Sequence, residues 1–323
     1  MKSSNLLGYA MALIGASFFS LKAVLVKLAY LPSEGANVVL AQNELEPITL
    51  LALRMGFSVP AYILIGFWAW RKLADKPSFL PVVQAFALGI LGYYLCALLD
   101  FTGLLYITAQ LERILLFTYP IFVVIIGTMF FGGKITRWSV LAILLAYAGI
   151  GVIFAGGEIA TGANVMLGSV LIIFTAFLFA MFQLFAKGLI NQMGSWVFTC
   201  TAMTGAAVSI LLHFTISASM GEGVAASLDL PPRVIFIGAA IAFFSTIIPS
   251  FLVNIAIDKI GSQTTAVLAM IGPITTIIAA IILLGEPFGW VDALGTAITI
   301  SGIALYTFFE RRSQPIRAIP LKT

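Results

Sequence analysis

A glutamate and an arginine stand side by side in the stretch AQLERILLFTYP at 109–120, which is otherwise almost wholly apolar. Glu112 can bind an ammonium group, and Arg113 can bind a carboxylate or a phosphate through two parallel hydrogen bonds. A buried carboxyl can also carry a proton, because burial favours its neutral form while neighbouring cations favour its charged form. The residue types therefore indicate a polar binding site, and they leave proton coupling open.

More charges lie within apolar stretches of the first half of the chain: Lys22, Lys27, Arg54 and Asp100. At about 1.5 Å of helix rise per residue, all of them except Lys27 fall in the same half of the membrane as Glu112 and Arg113. Lys27 can extend its ammonium to the interface instead. Ionisable residues inside a membrane are costly and mark functional sites by default. We therefore predict substrate-binding residues at Lys22, Arg54, Asp100, Glu112 and Arg113.

The alternative is an ion-pair network that only holds the first half of the chain together. Neighbouring residues on a helix point about 100° apart, so Glu112 and Arg113 should each seek a partner on another helix. At the matching positions of an internal repeat described below, the second half carries no charge and has Phe182, Thr265 and Ala266. A similarly folded half therefore manages without these charges, which favours a functional role.

The composition places these charges in a membrane protein. Of 323 residues, 61% are hydrophobic and only 9% are charged, against about 25% charged in soluble domains. The mean hydropathy is +1.10. Because a backbone exposed to lipid must satisfy its own hydrogen bonds, an all-α integral membrane protein is expected. The net charge of +4 does not indicate a nucleic-acid partner, since the basic residues sort by membrane side.

A spanning helix needs about 20 mostly apolar residues. The sequence predicts ten transmembrane helices, at 6–30, 47–69, 82–106, 109–131, 136–155, 164–187, 195–217, 233–257, 262–284 and 289–309. With the amino terminus inside, the positive-inside rule places the loop lysines and arginines in the cytoplasm and leaves Arg233 outside. The outer loops then collect acids: Glu34, Glu44, Glu46, Glu158, Glu222, Asp229, Glu286 and Asp292. Both termini are therefore predicted to be cytoplasmic.

The chain also repeats itself. Residues 6–30 align with 166–190 at an offset of 160, and residues 106–138 align with 259–291 at an offset of 153. Five spans in each half place the halves in opposite orientations, as in many secondary transporters. We predict two inverted five-helix repeats, 1–157 and 158–323, the second ending in a short cytoplasmic tail. Pro120 and Pro273 match in the alignment and should kink spans four and nine, so they are predicted as hinges or cavity-lining residues.

Several stretches, in this order and spacing, resemble the EamA family of the drug/metabolite transporter superfamily. They are EPITLLALRMG (46–56), GLLYITAQLERILLFTYPIFVVIIGTMFFGGK (103–134) and AVLAMIGPITTIIAAIILLGEPFGWVDALGTAITISGIALY (266–306). The resemblance covers the whole chain. One departure is visible, because Gly132, Gly133 and Lys134 stand where the family usually has Gly-Glu. The second repeat keeps the family-like Gly285-Glu286-Pro287.

The resemblance implies a secondary transporter in the bacterial inner membrane that moves a small metabolite by alternating access, with export as the expected direction. The substrate class it implies includes amino acids and other small metabolites. The cations and anions of the predicted site suit an organic anion or a zwitterion with a polar or amphipathic body. The expected partners are this substrate, the lipid bilayer and, as an open question, a coupled H⁺ or other ion. The oligomeric state is not predicted.

A flippase for a lipid or a lipid-linked sugar is the alternative function, and a channel or a membrane enzyme fits the sequence less well. Cys96, Cys200 and the lone His213 form no metal-binding pattern, and no phosphate-binding GxxxxGK[ST] loop is present. We therefore expect no enzymatic activity, no metal and no cofactor.

Overall fold

The computed structural model describes residues 3–32, 45–131, 137–160, 162–220, 230–253 and 271–309, together with 255, 256, 259 and 268. Within these ranges the regular secondary structure is helical. Several charged residues named above lie outside these ranges: Glu34, Glu44, Lys134, Glu222, Asp229 and the charges of the carboxy-terminal tail. The matching positions Thr265 and Ala266 lie outside them as well.

Seven of the described helices are long and apolar enough to cross a membrane. We name them α1 (Leu6–Tyr30), α2 (Pro47–Lys72), α3 (Phe79–Tyr106), α4 (Ala109–Gly127), α6 (Val165–Met193), α7 (Ser195–Ser219) and α8 (Pro232–Val253). The helices α5 (Arg137–Gly156), α9 (Ile271–Leu284) and α10 (Trp290–Phe309) fall on the remaining predicted spans. The count of ten transmembrane helices stays a prediction, because α9 is described only from Ile271.

One predicted boundary was wrong by almost two turns. The sixth span was expected to end at 187, near a lysine, but α6 continues to Met193. The helix ends where Gly194 takes a φ of 76°, a backbone conformation that residues with a Cβ rarely adopt. A glycine with positive φ is a common way to end a helix, whereas a single charged residue does not end one.

Two of the spans are interrupted where the first repeat carries its charges. Helix α1 breaks at Leu21, between the pieces Ser3–Ser20 and Lys22–Tyr30, and its first piece begins before the apolar span named above. Helix α4 breaks at 117–118, between the pieces Ala109–Leu116 and Tyr119–Phe131, and its second piece continues past the end of the apolar span at Gly127. The second break comes just before Pro120, whose nitrogen has no hydrogen to donate to the preceding turn. Each break lies close in sequence to the charged residues.

Helices α3 and α8 each contain a π-helical segment, at Ile90–Leu95 and Phe243–Ile247. The two segments begin 153 residues apart, which is the offset of the sequence repeat. The segment in α3 packs against α6 and α7, whereas the segment in α8 packs against α1 and α2. Each repeat therefore places its π segment against the first two helices of the other repeat. π-helical turns occur frequently at functional sites.

The contact between α3 and α7 depends on glycine. A Cβ atom added at Gly89 would collide with the backbone carbonyl of Ala202, and one added at Gly205 would collide with Phe86. Small residues at a helix crossing let two backbones approach closely, which is a main source of packing energy in membranes. This crossing holds the π segment of α3 against the second repeat.

We expect Gly89→Ala to destabilise the protein by about 1–3 kcal/mol, because backbone atoms of Ala202 must move to admit the new methyl group. Gly56→Ala, in the middle of α2, is the matched control. A Cβ there would meet nothing within 4 Å, and the loss of a helical glycine is worth up to ~1 kcal/mol of stabilisation. Thermal unfolding in detergent compares the two variants, and equal melting temperatures would contradict the close crossing.

Candidate functional site

The first ion pair of the site joins α1 to α3. Lys22 Nζ lies 2.5 Å from Asp100 Oδ2, and the two residues are 7% and 1% exposed. The break at Leu21 places Lys22 at the start of the second piece of α1, and Asp100 lies one turn beyond the π segment of α3. Two of the five predicted site residues, from two different helices, therefore form a buried ion pair.

The second charged pair occupies the first turns of α4. The Thr108 hydroxyl accepts a hydrogen bond from the Leu111 N–H at 3.2 Å, so this threonine is the N-cap of the helix. Glu112 and Arg113 follow within it and are both fully buried. Their closest charged atoms, Glu112 Oε2 and Arg113 Nε, are 3.6 Å apart and make no hydrogen bond. Among the described residues, Glu112 therefore forms its ion pair with the adjacent Arg113 and not, as the sequence predicted, with a cation on another helix.

Arg113 reaches the break in α1 and through it the second repeat. Its Nη2 donates to the Ser20 carbonyl at 3.2 Å, and the same carbonyl accepts from Thr276 Oγ1 of α9 at 2.8 Å. Gly272, near the start of α9, lies against Ser20 and Phe117 without a side chain of its own. The broken turn of α1 thus connects the charged turn of α4 to α9.

Several polar atoms of this cluster have no hydrogen-bond partner among the described residues. They are Asp100 Oδ1, Glu112 Oε1 and Oε2, and Arg113 Nε and Nη1, and the Asp100 and Glu112 carboxyls lie close enough to share a hydrogen bond when one of them is protonated. An unsatisfied buried polar group costs about 1–3 kcal/mol, and more when it is charged. Most buried polar groups in proteins are paired, so an exception calls for an explanation such as water, an ion or a ligand. The cluster has both donors and acceptors that a small zwitterion would satisfy.

Arg54 lies beside this cluster rather than inside it. The residue is 5% exposed, and its Nε donates to Thr246 Oγ1 in the π segment of α8 at 2.9 Å. The Thr246 hydroxyl in turn donates to the Ile241 carbonyl five residues earlier, at 3.0 Å. Arg54 lies close enough to Asp100 to interact with it electrostatically. Arg54, the fifth predicted residue, therefore interacts electrostatically with Asp100 of the cluster and forms a hydrogen bond to Thr246 of the second repeat.

Aromatic rings surround the charges and continue into the second repeat. The Phe19 ring centroid is 5.8 Å from Lys22 Nζ and 6.0 Å from Arg113 Cζ. A series of contacts between aromatic rings begins one turn beyond Arg113. The distances between neighbouring ring centroids lie between 4.9 and 6.4 Å. The series is Phe117, Tyr119, Phe179, Phe182 and Tyr93. Phe182 is the residue that matches Lys22 in the repeat, so an aromatic surface occupies the position corresponding to the cation.

A set of hydrogen bonds closes the helix bundle at the end where α3 ends and α4 begins. We call this end of the bundle the Glu286 side. Glu286 accepts from the N–H groups of Ala109 at 2.8 Å and Gln110 at 3.2 Å. Burial raises the pKa of the Glu286 carboxyl above its ordinary value, and these N–H groups and the charge of Lys27 oppose the rise. The Gln110 side chain adds a bond to the Pro287 carbonyl at 3.1 Å.

Asp292 extends this closure to the loop between α5 and α6. The residue is fully buried and accepts from the backbone N–H groups of Glu158 and Gly289 at 2.8 Å and of Ile159 at 3.2 Å. The Ile159 carbonyl in turn accepts from the Thr108 hydroxyl at 2.7 Å. The sequence analysis counted Glu286 and Asp292 among the acids of the outer loops, and the structure shows that both accept hydrogen bonds from backbone N–H groups.

The Lys27 ammonium donates to the Leu104 carbonyl at 2.8 Å, two residues before α3 ends at Tyr106. The sequence offered no signal for this contact, or for the roles of Thr246 and Ser20, because a threonine or serine in an apolar helix is common. The GEP motif at 285–287 was the one available signal for Glu286.

The two predicted hinge residues lie in different settings. Pro120 is the second residue after the break in α4. Pro273 is buried near the start of the described part of α9, directly after Gly272. Their proposed role as hinges or cavity-lining residues stays a prediction. No group of three or more His, Cys, Asp or Glu side chains that could hold a metal ion occurs in the described ranges.

The long apolar helices and the buried charged cluster define a multi-pass membrane protein with a polar interior. The model of the EamA-like transporter family matches the chain twice, at residues 6–155 and 166–308. The chain therefore belongs to the EamA-like transporter family and is a membrane transporter. The two matches also agree with the two repeats found in the sequence.

Relatives of known sequence carry names of the same kind. The "Uncharacterized transporter YcbK" of Bacillus subtilis is 28% identical over 295 residues, covering 89% of this chain and 88% of its own. The "Uncharacterized transporter sll1319" of Synechocystis is 25% identical over 323 residues, covering 95% of each chain. One crystal structure shares the fold with a TM-score of 0.60 over 98% of this chain and all of its own, at 16% identity. These names indicate a transporter rather than an enzyme.

Proposed function

We propose that this transporter is a carrier for a small zwitterion or organic anion with an apolar part, such as an amino acid, and that the cluster of Lys22, Asp100, Glu112 and Arg113 binds it. Alternating access in the bacterial inner membrane, with net export, completes the proposal. The observation that carries it is the presence of unpaired donors and acceptors on two fully buried, oppositely charged side chains, Glu112 and Arg113.

The charges favour a substrate with a carboxylate. Arg113 Nε and Nη1 have no hydrogen-bond partner in the described part of the chain, and each shares one edge of the guanidinium plane with Nη2, which donates to the Ser20 carbonyl. Because Nη2 carries two hydrogens, one of these edges can still bind a carboxylate through two parallel hydrogen bonds. Glu112 Oε2 lies 3.6 Å from Arg113 Nε, and the Glu112 carboxylate can accept from a substrate ammonium. A zwitterion would satisfy both groups together.

The rings favour an apolar part on the same substrate. The aromatic series begins one turn beyond Arg113 and ends at Tyr93 and Phe182, which pack at 4.9 Å between centroids. Ligand sites are mostly apolar, with a few polar groups that fix orientation. A carboxylate held at Arg113 would direct the apolar part of the substrate along these rings.

Proton coupling is part of the proposal as a testable option. The Glu112 carboxyl lies near the Asp100 carboxyl as well as near Arg113. A proton taken up with the substrate would relieve the repulsion between two carboxylates in one buried site. Transport that is unchanged when the pH gradient is collapsed would remove this option and leave the carrier function in place.

A thermal-shift screen of the purified protein tests the substrate class. We expect amino acids with apolar side chains to raise the melting temperature of the wild type, because a ligand that binds only the folded state stabilises it. Decarboxylated amines and phosphorylated metabolites of similar size serve as comparisons. A shift with amines and none with carboxylates would contradict the assigned role of Arg113.

The same purified protein, reconstituted into vesicles, distinguishes the carrier function from the alternative flippase function. Reconstituted protein that exchanges a labelled amino acid but does not move a fluorescent lipid between leaflets supports the proposal. Lipid movement without metabolite exchange would assign the cluster to a lipid headgroup instead.

A further inference from the structure

We propose that Glu286, from the second repeat, is a positioning residue that holds the charged turn of α4 in place and keeps the Glu286 side of the bundle closed. The proposal rests on the carrier function proposed above, because a carrier must open its two sides in turn. It assigns the closure of one side to one carboxylate.

The contact is a helix cap supplied by a distant part of the chain. The first N–H groups of a helix have no partner within it, and the amino terminus carries a partial positive charge. Glu286 accepts from two of these groups, those of Ala109 and Gln110, through its two oxygens. The Gln110 side chain reaches back to the Pro287 carbonyl. The start of α4 is therefore held by three hydrogen bonds to residues 286–287.

This cap acts on the binding cluster because the chain is continuously helical between the capped residue Ala109 and the charged residue Arg113. The Glu112 N–H donates to the Thr108 carbonyl at 3.0 Å, so Glu112 and Arg113 belong to the turn that Glu286 caps. A movement of residues 286–287 away from α4 would release the helix end that carries both charges. A change at Glu286 is therefore transmitted to the cluster through less than two turns of helix.

The surrounding contacts show what must break when this side opens. Lys27 of α1 lies near Glu286 and donates to the Leu104 carbonyl, and Asp292 holds the loop after α5. The Thr108 hydroxyl binds the Ile159 carbonyl of that loop. Segments of both repeats thus meet at the capped end of α4, and Glu286 is the carboxylate bonded directly to the helix end.

The two repeats differ in residue type at the position of this capping glutamate. The position 153 residues before Glu286 is Gly133, which has no side chain to cap a helix. Gly133 lies outside the described residues, so the comparison concerns residue type alone. An inverted repeat with a glutamate at both positions could form the same cap on both sides, whereas this sequence has a glutamate at only one of the two positions. We infer that the two sides open with different ease.

Side-specific labelling of a cysteine at the cluster tests the proposal. Ser20→Cys in a Cys96→Ala, Cys200→Ala background places a thiol beside Arg113, at a position that is 2% exposed in the closed state. A membrane-impermeant maleimide is applied to right-side-out and to inside-out vesicles. Adding Glu286→Gln should raise the labelling rate from the Glu286 side by about tenfold, which corresponds to ~1.4 kcal/mol. Labelling from the opposite side should not increase.

Glu158→Gln is the matched control, because it removes the same charge from an exposed residue on the same side, and it should leave both rates unchanged. Unchanged rates in Glu286→Gln, or equal increases from both sides, would overturn the proposal. If Glu286→Gln does not fold, Glu286→Asp tests the same contact, because its shorter carboxylate cannot reach both N–H groups, and the same outcomes apply. The assay needs no substrate, so its failure is distinct from a failure of the proposed substrate class.

Discussion

Asp100→Asn is expected to lower the stability of the protein by about 3–5 kcal/mol, because it leaves the buried Lys22 ammonium without a charged partner. Lys22→Met combined with Asp100→Leu should recover most of that loss. Removing both members of a buried ion pair is often neutral or stabilising, since neither charge then has to be taken out of water. Chemical denaturation or thermal unfolding in detergent measures the stability of the wild type, the single variant and the double variant.

The double variant also separates the two hypotheses for the charges. A network that only staples the first repeat would be replaced by apolar packing, and transport would continue. A binding site would lose the substrate along with its charges. We expect the double variant to be folded and to transport at least tenfold more slowly, because a lost charge-assisted contact costs about 1.5–3 kcal/mol. Wild-type transport in the double variant would assign Lys22 and Asp100 to structure alone.

Glu112→Gln is expected to reduce transport by tenfold or more without loss of stability. Both oxygens of Glu112 lack a hydrogen-bond donor in the described structure, so the charge of Arg113 at 3.6 Å offsets only part of the cost of burying this carboxylate. A neutral amide of the same shape is cheaper to bury. The melting temperature should therefore stay constant or rise, while the group that binds the substrate ammonium is lost.

The control for Glu112→Gln is Glu158→Gln, which makes the same chemical change at an exposed loop position. That variant should match the wild type in both transport and melting temperature. A strong fall in the melting temperature of Glu112→Gln would contradict this account, because it would show that the Glu112 charge stabilises the fold.

The sequence predicted the membrane class and the charged positions because both depend on composition and spacing. Apolar stretches of about 20 residues predict spans directly, and a charge inside such a stretch is conspicuous. The depth of Lys22 and Asp100 along their helices placed both in the same half of the membrane, but it did not select this pair from the other charges of the cluster. The aromatic residue at Phe182, opposite in character to Lys22, was visible in the repeat alignment.

Other features depend on tertiary contacts that have no local pattern. The π segments of α3 and α8 read as ordinary apolar helix, since a widened turn changes hydrogen bonding rather than composition. The sequence analysis counted Glu286 and Asp292 only as acids of the outer loops, although Glu286 lies in the loop before α10 and Asp292 lies in the first turn of that helix. Their burial depends on backbone N–H groups that come from other parts of the chain. A cap from a distant residue cannot be inferred from spacing.

Counterflow of radiolabelled amino acids in proteoliposomes tests the central claim most directly. Vesicles loaded with unlabelled amino acids should accumulate external label transiently through the wild type and the Glu158→Gln variant, because a carrier exchanges one bound substrate for another. Glu112→Gln should show little accumulation while remaining folded. Equal accumulation in Glu112→Gln and the wild type would contradict the assignment of the buried cluster as the substrate site. Entry of label without transient accumulation would contradict the carrier itself.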